Sequence, residues 1–108
     1  TILKTTNGGI TAIQQTSSEV PMKFSLHQNY PNPFNPVTRI YFDIPTASFT
    51  KLIVYDQLGR EVEILVSEQL TAGSYIYDWN AIDYPSGIYY YKLQAGEFSE
   101  TKKMVLIK

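Results

Sequence analysis

The sequence predicts an all-β protein, a seven-stranded antiparallel immunoglobulin-like β-sandwich. Three observations carry that expectation. Short runs rich in β-branched and aromatic residues alternate apolar with polar side chains, which is the period of a half-buried strand. Turn-forming residues recur between the runs, so strands repeat at roughly 8–12-residue spacing. No stretch offers a long apolar stripe of 3.6-residue period with caps, so no helix is expected. The 108 residues, 44% of them hydrophobic, suit one compact domain that can bury a core without staples.

Residues 1–21 read as a linker or the tail of a preceding domain. Thr1, Thr5, Thr6, Thr11 and Thr16 punctuate the stretch, its apolar residues are scattered, and such a segment buries little. The missing start methionine and the polar opening give the expectation of a fragment excised from something longer. Residues 22–108 carry the sandwich. Strands are expected at Phe24 to His27, Ile40 to Ile44, Lys51 to Tyr55, Glu61 to Val66, Ser74 to Trp79, Ile88 to Leu93 and Phe98 to Ile107. Pro45-Thr46, Asp56-Gln57-Leu58-Gly59, Thr71-Ala72-Gly73, Tyr84-Pro85-Ser86-Gly87 and Ala95-Gly96-Glu97 supply the turns.

Parity assigns the faces. Ile40, Phe42 and Ile44 point inward, as do Leu52 and Val54 on the next strand. Val62, Ile64 and Val66 share the inner face of theirs, which leaves Glu61 and Glu63 toward water. Tyr75, Tyr77 and Trp79 form one side, Tyr89, Tyr91 and Leu93 another, and Met104 with Leu106 a third. Three tyrosines stand in succession at 89–91, so at least one faces away, and each buried one needs a partner for its hydroxyl.

Composition narrows the chemistry. Zero cysteines exclude disulfides, thiolate metal sites and cysteine nucleophiles. One histidine, His27, rules out a multi-histidine zinc site within the chain and argues against a Ser-His-Asp triad. Nine basic and ten acidic residues give a net charge of −1, which leaves no basic footprint for nucleic acid. No apolar run approaches the roughly 18 residues of a membrane helix, so no membrane insertion is expected. Thr1 to Lys4 lacks the order of a signal peptide, placing any export signal elsewhere. Asp56, Asp78 and Asp83 read as turn and strand-end residues bonding backbone amides rather than calcium. The expectation is a non-enzyme without catalytic, cofactor or metal residues.

The most distinctive segment is Gln28-Asn29-Tyr30-Pro31-Asn32-Pro33-Phe34-Asn35-Pro36. Its prolines fix φ and hold the residues before them extended, which disqualifies it as an interior strand. It reads as a rigid crossover anchored by Tyr30 and Phe34.

The same segment carries a resemblance. Tyr30 to Pro36, followed by Thr38-x-Ile40-x-Phe42-x-Ile44-Pro45, is similar to the start of a type A C-terminal sorting domain of the type IX (Por) secretion system. The likeness continues through Val54 to Val62, Ala72-Gly73, Trp79, Pro85-Ser86-Gly87-Ile88-Tyr89-Tyr90-Tyr91-Lys92-Leu93 and Lys102 to Lys108. The middle blocks also resemble, more weakly, the immunoglobulin-like domain of flagellar hook-capping proteins. Ile2 to Gly9 looks like the end of a β-propeller repeat.

The resemblance implies an address label on a covalently attached upstream cargo domain. It implies recognition by the type IX outer-membrane translocon after periplasmic transit in a Gram-negative bacterium, and removal by a sortase-like peptidase. The cargo would end secreted or on the cell surface. Candidate recognition residues are Pro31, Asn32, Pro33, Asn35 and Pro36 of the loop, Gly59 and Gly87 of the turns, and Lys103 and Lys108 of the terminal strand. That strand is expected near a sheet edge, open to pairing with a partner. The alternative is a carbohydrate-binding or structural β-sandwich module appended to a secreted enzyme, a reading that requires exposed aromatic platforms and sets the inward parity of Trp79 against it.

Overall fold

The computed structural model describes residues 13–17 and 19–108, and every regular element among them is a strand. In chain order these are β1 (Ile13–Ser17), β2 (Ser25–Leu26), β3 (Val37–Ile44), β4 (Ser48–Tyr55), β5 (Glu61–Leu70), β6 (Gly73–Asn80), β7 (Gly87–Ala95) and β8 (Phe98–Leu106). They pair antiparallel into two four-stranded sheets, ordered β1-β6-β3-β2 and β5-β4-β7-β8. The sandwich measures 35 × 31 × 21 Å.

The seven expected strands are all present, most extended by one to four residues. The eighth, β1, falls in the stretch read above as a linker or tail. Its sequence Ile-Gln-Gln-Thr-Ser offers a single apolar residue, Ile13, which is buried in the core. The polar remainder suits an edge strand, which one neighbour and solvent share. Gly73 makes room for it: a Cβ there would stand 2.7 Å from the Ser17 carbonyl oxygen and clash with the Gln15 amide.

The alternation places the core as expected on most strands. Ile40, Phe42, Ile44, Tyr75 and Trp79 of the first sheet face Leu52, Val54, Tyr89, Tyr91, Leu93, Met104 and Leu106 of the second. Phe42 and Tyr75, directly opposite on β3 and β6, stack with ring centroids 5.5 Å apart. Tyr77 is half-buried against the same core. Trp79 is only 2% exposed, so it offers no platform for a sugar ring.

β5 departs from the expectation. Its register against β4 slips twice, leaving Leu65 and Val62 as extra residues. Each bulge reverses parity for the residues beyond it. Val66 stays inside, but Ile64 turns outward and is 49% exposed, while Glu63 comes opposite buried Val54 and turns inward. Val62, one of the bulged residues, still packs against the core from a half-buried position. The expected common face of Val62, Ile64 and Val66 is thus corrected, and so is the solvated position of Glu63.

Candidate recognition surface

Residues 28–36 leave the edge of the first sheet after β2 and lie along β8, the edge of the second, as a strap. Prolines cannot donate to a ladder, so the strap bonds through side-chain amides and the few N–H groups left to it. Gln28 Nε2 donates to the Lys103 carbonyl at 2.8 Å, and the Val105 N–H donates to Asn32 Oδ1 at 3.0 Å. The Phe34 N–H donates to the Val105 carbonyl and the Ile107 N–H to the Phe34 carbonyl, both at 2.9 Å. The peptide bonds preceding Pro31, Pro33 and Pro36 are cis.

Phe34 anchors the strap, 2% exposed and with its ring 5.9 Å from that of Trp79. Tyr30, expected as a second anchor, is 75% exposed; only its backbone is held, in a bridge to Arg39. Asn29 takes the anchoring role instead. Its buried amide donates to the Pro31 carbonyl and to Thr38 Oγ1, whose hydroxyl donates to the same carbonyl. The Asn29 N–H donates to the Tyr91 hydroxyl, which donates to the His27 carbonyl, each at 2.7 Å. Burial holds the Tyr91 phenol well above the usual tyrosine range.

The β6–β7 connection meets the strap and residues 107–108 on one rim. The Ala81 N–H donates to the Pro36 carbonyl. Lys108 Nζ donates to the carbonyls of Ile82 and Tyr84 at 2.7 and 2.8 Å, and its backbone N–H to Ser86 Oγ at 3.0 Å. Beneath this loop, Glu63 accepts from Trp79 Nε1 and from the Tyr84 hydroxyl. Burial first, then the bonded Glu63 carboxylate, pushes the Tyr84 phenol up to about 12. The Tyr89 hydroxyl donates to the Pro85 carbonyl.

The β4–β5 turn completes the rim. The Gly59 N–H bonds the Asp56 carbonyl, and at φ +84° Gly59 adopts a conformation that L side chains rarely take. Asp56 accepts from the backbone N–H groups of Leu58 and Arg60 and from Arg60 Nε. Those bonds, the Arg60 amide first, hold its carboxyl below the usual range. Between this turn and residues 84–89 lies a groove of about 330 Å³. Asp78, another acid weighed for calcium, is engaged bidentately by Arg39.

The candidate residues divide by what they do here. Asn32 and the carbonyls of Pro31 and Pro36 are internal fastenings, Gly59 shapes the turn, and Gly87 opens β7 beside the groove. Lys108 is tied to the neighbouring loop. Pro33, Asn35 and the Lys103 side chain face solvent. The edge of β8, expected to be open, is covered by the strap from Lys103 to Ile107. Sequence reading missed Glu63, hidden by the bulges, and Asn29, whose polar side chain gives no sign of burial.

One unforeseen cluster lies on the outer face of the first sheet. Asp43 accepts from Ser25 Oγ at 2.7 Å and Ser74 Oγ at 2.8 Å, with His27 Nε2 3.1 Å away. Partial burial pushes its carboxyl up, but the bonds from Ser25, His27 and Ser74 outweigh this and hold it below the usual range. Both serine hydroxyls give their protons to the carboxylate rather than to the imidazole, so the relay that activates a nucleophile is not made.

One end of the sandwich thus gathers two loops, the strap and the last residues of β8. The family described as the secretion system C-terminal sorting domain matches residues 28–108, and the chain belongs to that family, whose members serve type IX secretion. Sorting domains are signals rather than catalysts, and membership implies involvement with the type IX machinery and export to the cell surface or medium. No curated protein and no solved structure matches the chain.

Proposed function

We propose that this domain is the address label of a covalently attached upstream cargo. It directs that cargo through the periplasm to the type IX outer-membrane translocon, where a sortase-like peptidase removes the label. The observation that carries the reading is the convergence on one rim of the proline strap, the Pro85-Ser86-Gly87 loop and the terminal residues 103–108. The strap lies about 50 positions or more before the other two in sequence, and recognition of a folded label requires that its parts form one surface. The solvent-facing Pro33, Asn35 and Lys103 make the contact, while Pro31, Asn32, Pro36, Gly59, Gly87 and Lys108 hold the rim in shape.

The test fuses the 108-residue chain to a neutral reporter carrying an export signal, in a host with a working type IX apparatus. The reporter should reach the surface or medium, and deletion of Met104 to Lys108 should strand it in the periplasm. A folded, intact fusion that stays periplasmic overturns the reading. A parallel fusion of residues 19–108 tests whether β1 belongs to the label.

A further inference from the structure

A β-sandwich of two open sheets has four strand edges, and here they are not equivalent. β2 has two residues and β1 five, and the strap covers β8 from Lys103 to Ile107. The fourth edge is the outer side of β5, ten residues long, which pairs only with β4 among the described residues. Its first half is bulged at Val62 and Leu65, and the Tyr84 hydroxyl leans on the Val62 carbonyl. Its second half, Val66 to Leu70, runs in unbroken register opposite Ser48 to Leu52.

That half has a particular inner face. Val66 and Leu70 are buried, and between them Glu68, opposite fully buried Thr50, is half-buried on the inward parity. An inward charge on an edge strand discourages indiscriminate pairing. A strand added here would lay its own inward residue beside the Glu68 carboxylate, where opposite charges stabilise and like charges repel. β5 contains Glu61, Glu63 and Glu68 and no lysine or arginine. A second copy pairing β5 to β5 therefore brings no cation in any register.

We propose that the Val66–Leu70 edge is a strand-docking site for an extended segment of a partner protein that carries lysine or arginine opposite Glu68, flanked two residues away on each side by apolar residues. The same carboxylate that rejects self-pairing selects the basic partner. Main-chain bonds supply the docking, and the alternate side chains meet Val66, Glu68 and Leu70 in turn. The proposal stands independently of the secretion reading, since it concerns an edge opposite the strap.

The test uses the isotope-labelled 108-residue chain and two blocked peptides, Val-Thr-Lys-Thr-Val and Val-Thr-Glu-Thr-Val, followed by amide chemical shifts and hydrogen exchange. The lysine peptide should perturb and protect amides of Val66 to Leu70, and bind about three- to tenfold tighter than the glutamate peptide. Glu68→Lys should invert that preference, and Glu68→Gln, which keeps the size of the side chain, should abolish it. Equal binding of both peptides, an unaltered preference in Glu68→Lys, or perturbations confined to other strands would overturn the proposal. So would self-association of the wild-type chain in sedimentation that also shifts and protects the Val66 to Leu70 amides.

Discussion

The Glu63 carboxylate lies 3.0 Å from the indole nitrogen of Trp79 and 2.9 Å from the Tyr84 hydroxyl, so one oxygen satisfies two donors at the end of the core. Three aromatic rings, Trp79, Tyr84 and Tyr89, pack edge and tilt around that point with centroids about 6 Å apart. An acid on a strand next to bulges thus closes an aromatic cluster.

Replacing Glu63 by alanine removes the shared acceptor of both donors in a part-buried site. The expected cost is about 2–3 kcal/mol. Glu63→Gln, whose amide oxygen still accepts, should recover a good part of it. Chemical denaturation followed by Trp79 fluorescence measures both; an alanine variant within about 0.5 kcal/mol of wild type would contradict the role assigned to the carboxylate.

Four buried or half-buried phenols set an alkaline limit. An unfolded tyrosine ionises near pH 10, whereas folded Tyr84 is pushed up to about 12 and Tyr77, Tyr89 and Tyr91 are raised by burial. The folded state holds these protons more tightly than the unfolded one. Their contribution is complete below the unfolded value and is lost as pH climbs through the folded values. Denaturation midpoints should hold between pH 8 and about 9.5 and fall steadily above 10. A midpoint still level at pH 11.5 would count against the raised, neutral state of these phenols.

The strap has two separable fastenings. Asn32→Ala frees the Val105 N–H near the surface and should cost about 1 kcal/mol, with faster hydrogen exchange at that amide. Phe34→Ala empties a core position and should cost on the order of 3–5 kcal/mol. If the two variants lose equal stability, the division between latch and anchor fails.

Gly73→Ala probes β1. The added methyl meets Gln15 and the Ser17 carbonyl, and φ of +153° is one that L residues rarely adopt. The expected result is a loss of about 1–3 kcal/mol with β1 displaced, visible as rapid exchange of the amides of residues 13–17. If the strand stays protected, the close approach is softer than the geometry indicates.

Lys103 and Lys108 separate display from support. Lys103→Gln touches only an exposed side chain and should change stability by no more than about 0.5 kcal/mol. Lys108→Gln releases the carbonyls of Ile82 and Tyr84 and should quicken exchange across residues 82–86. Export of the reporter fusion lost in Lys103→Gln with the fold intact would assign recognition to that charge. Unchanged export would remove Lys103 from the contact surface.

Much of this architecture could be read from side-chain order. Strand faces followed wherever the ladder is regular, because period-two alternation is the direct imprint of one buried side. Ile40, Phe42 and Ile44 are the clearest case. Reading failed where geometry breaks the period. Two bulges in β5 exchanged the fates of Ile64 and Glu63, and no local sequence cue marks an inserted residue. β1 escaped because an edge strand with one buried residue shows almost no hydrophobic signal. In the strap, Tyr30 and Phe34 look equivalent as sequence, and only the depth of the gap between β8 and Trp79 chooses the phenylalanine. Asn29 was hidden by its chemistry: its burial depends on Thr38, Pro31 and Tyr91 together.

The strap also joins the beginning of the family-matched region to its close: Gln28 bonds a carbonyl 75 positions ahead, and Asn32 an amide 73 positions ahead. During synthesis those partners emerge long after the strap itself. A ribosome that stops before Lys103 releases a chain whose strap has nothing to fasten to and whose Phe34 lacks β8 beside it. The closed strap therefore registers that the matched region has been made through β8, because neither Gln28 nor Asn32 has its partner until that strand exists.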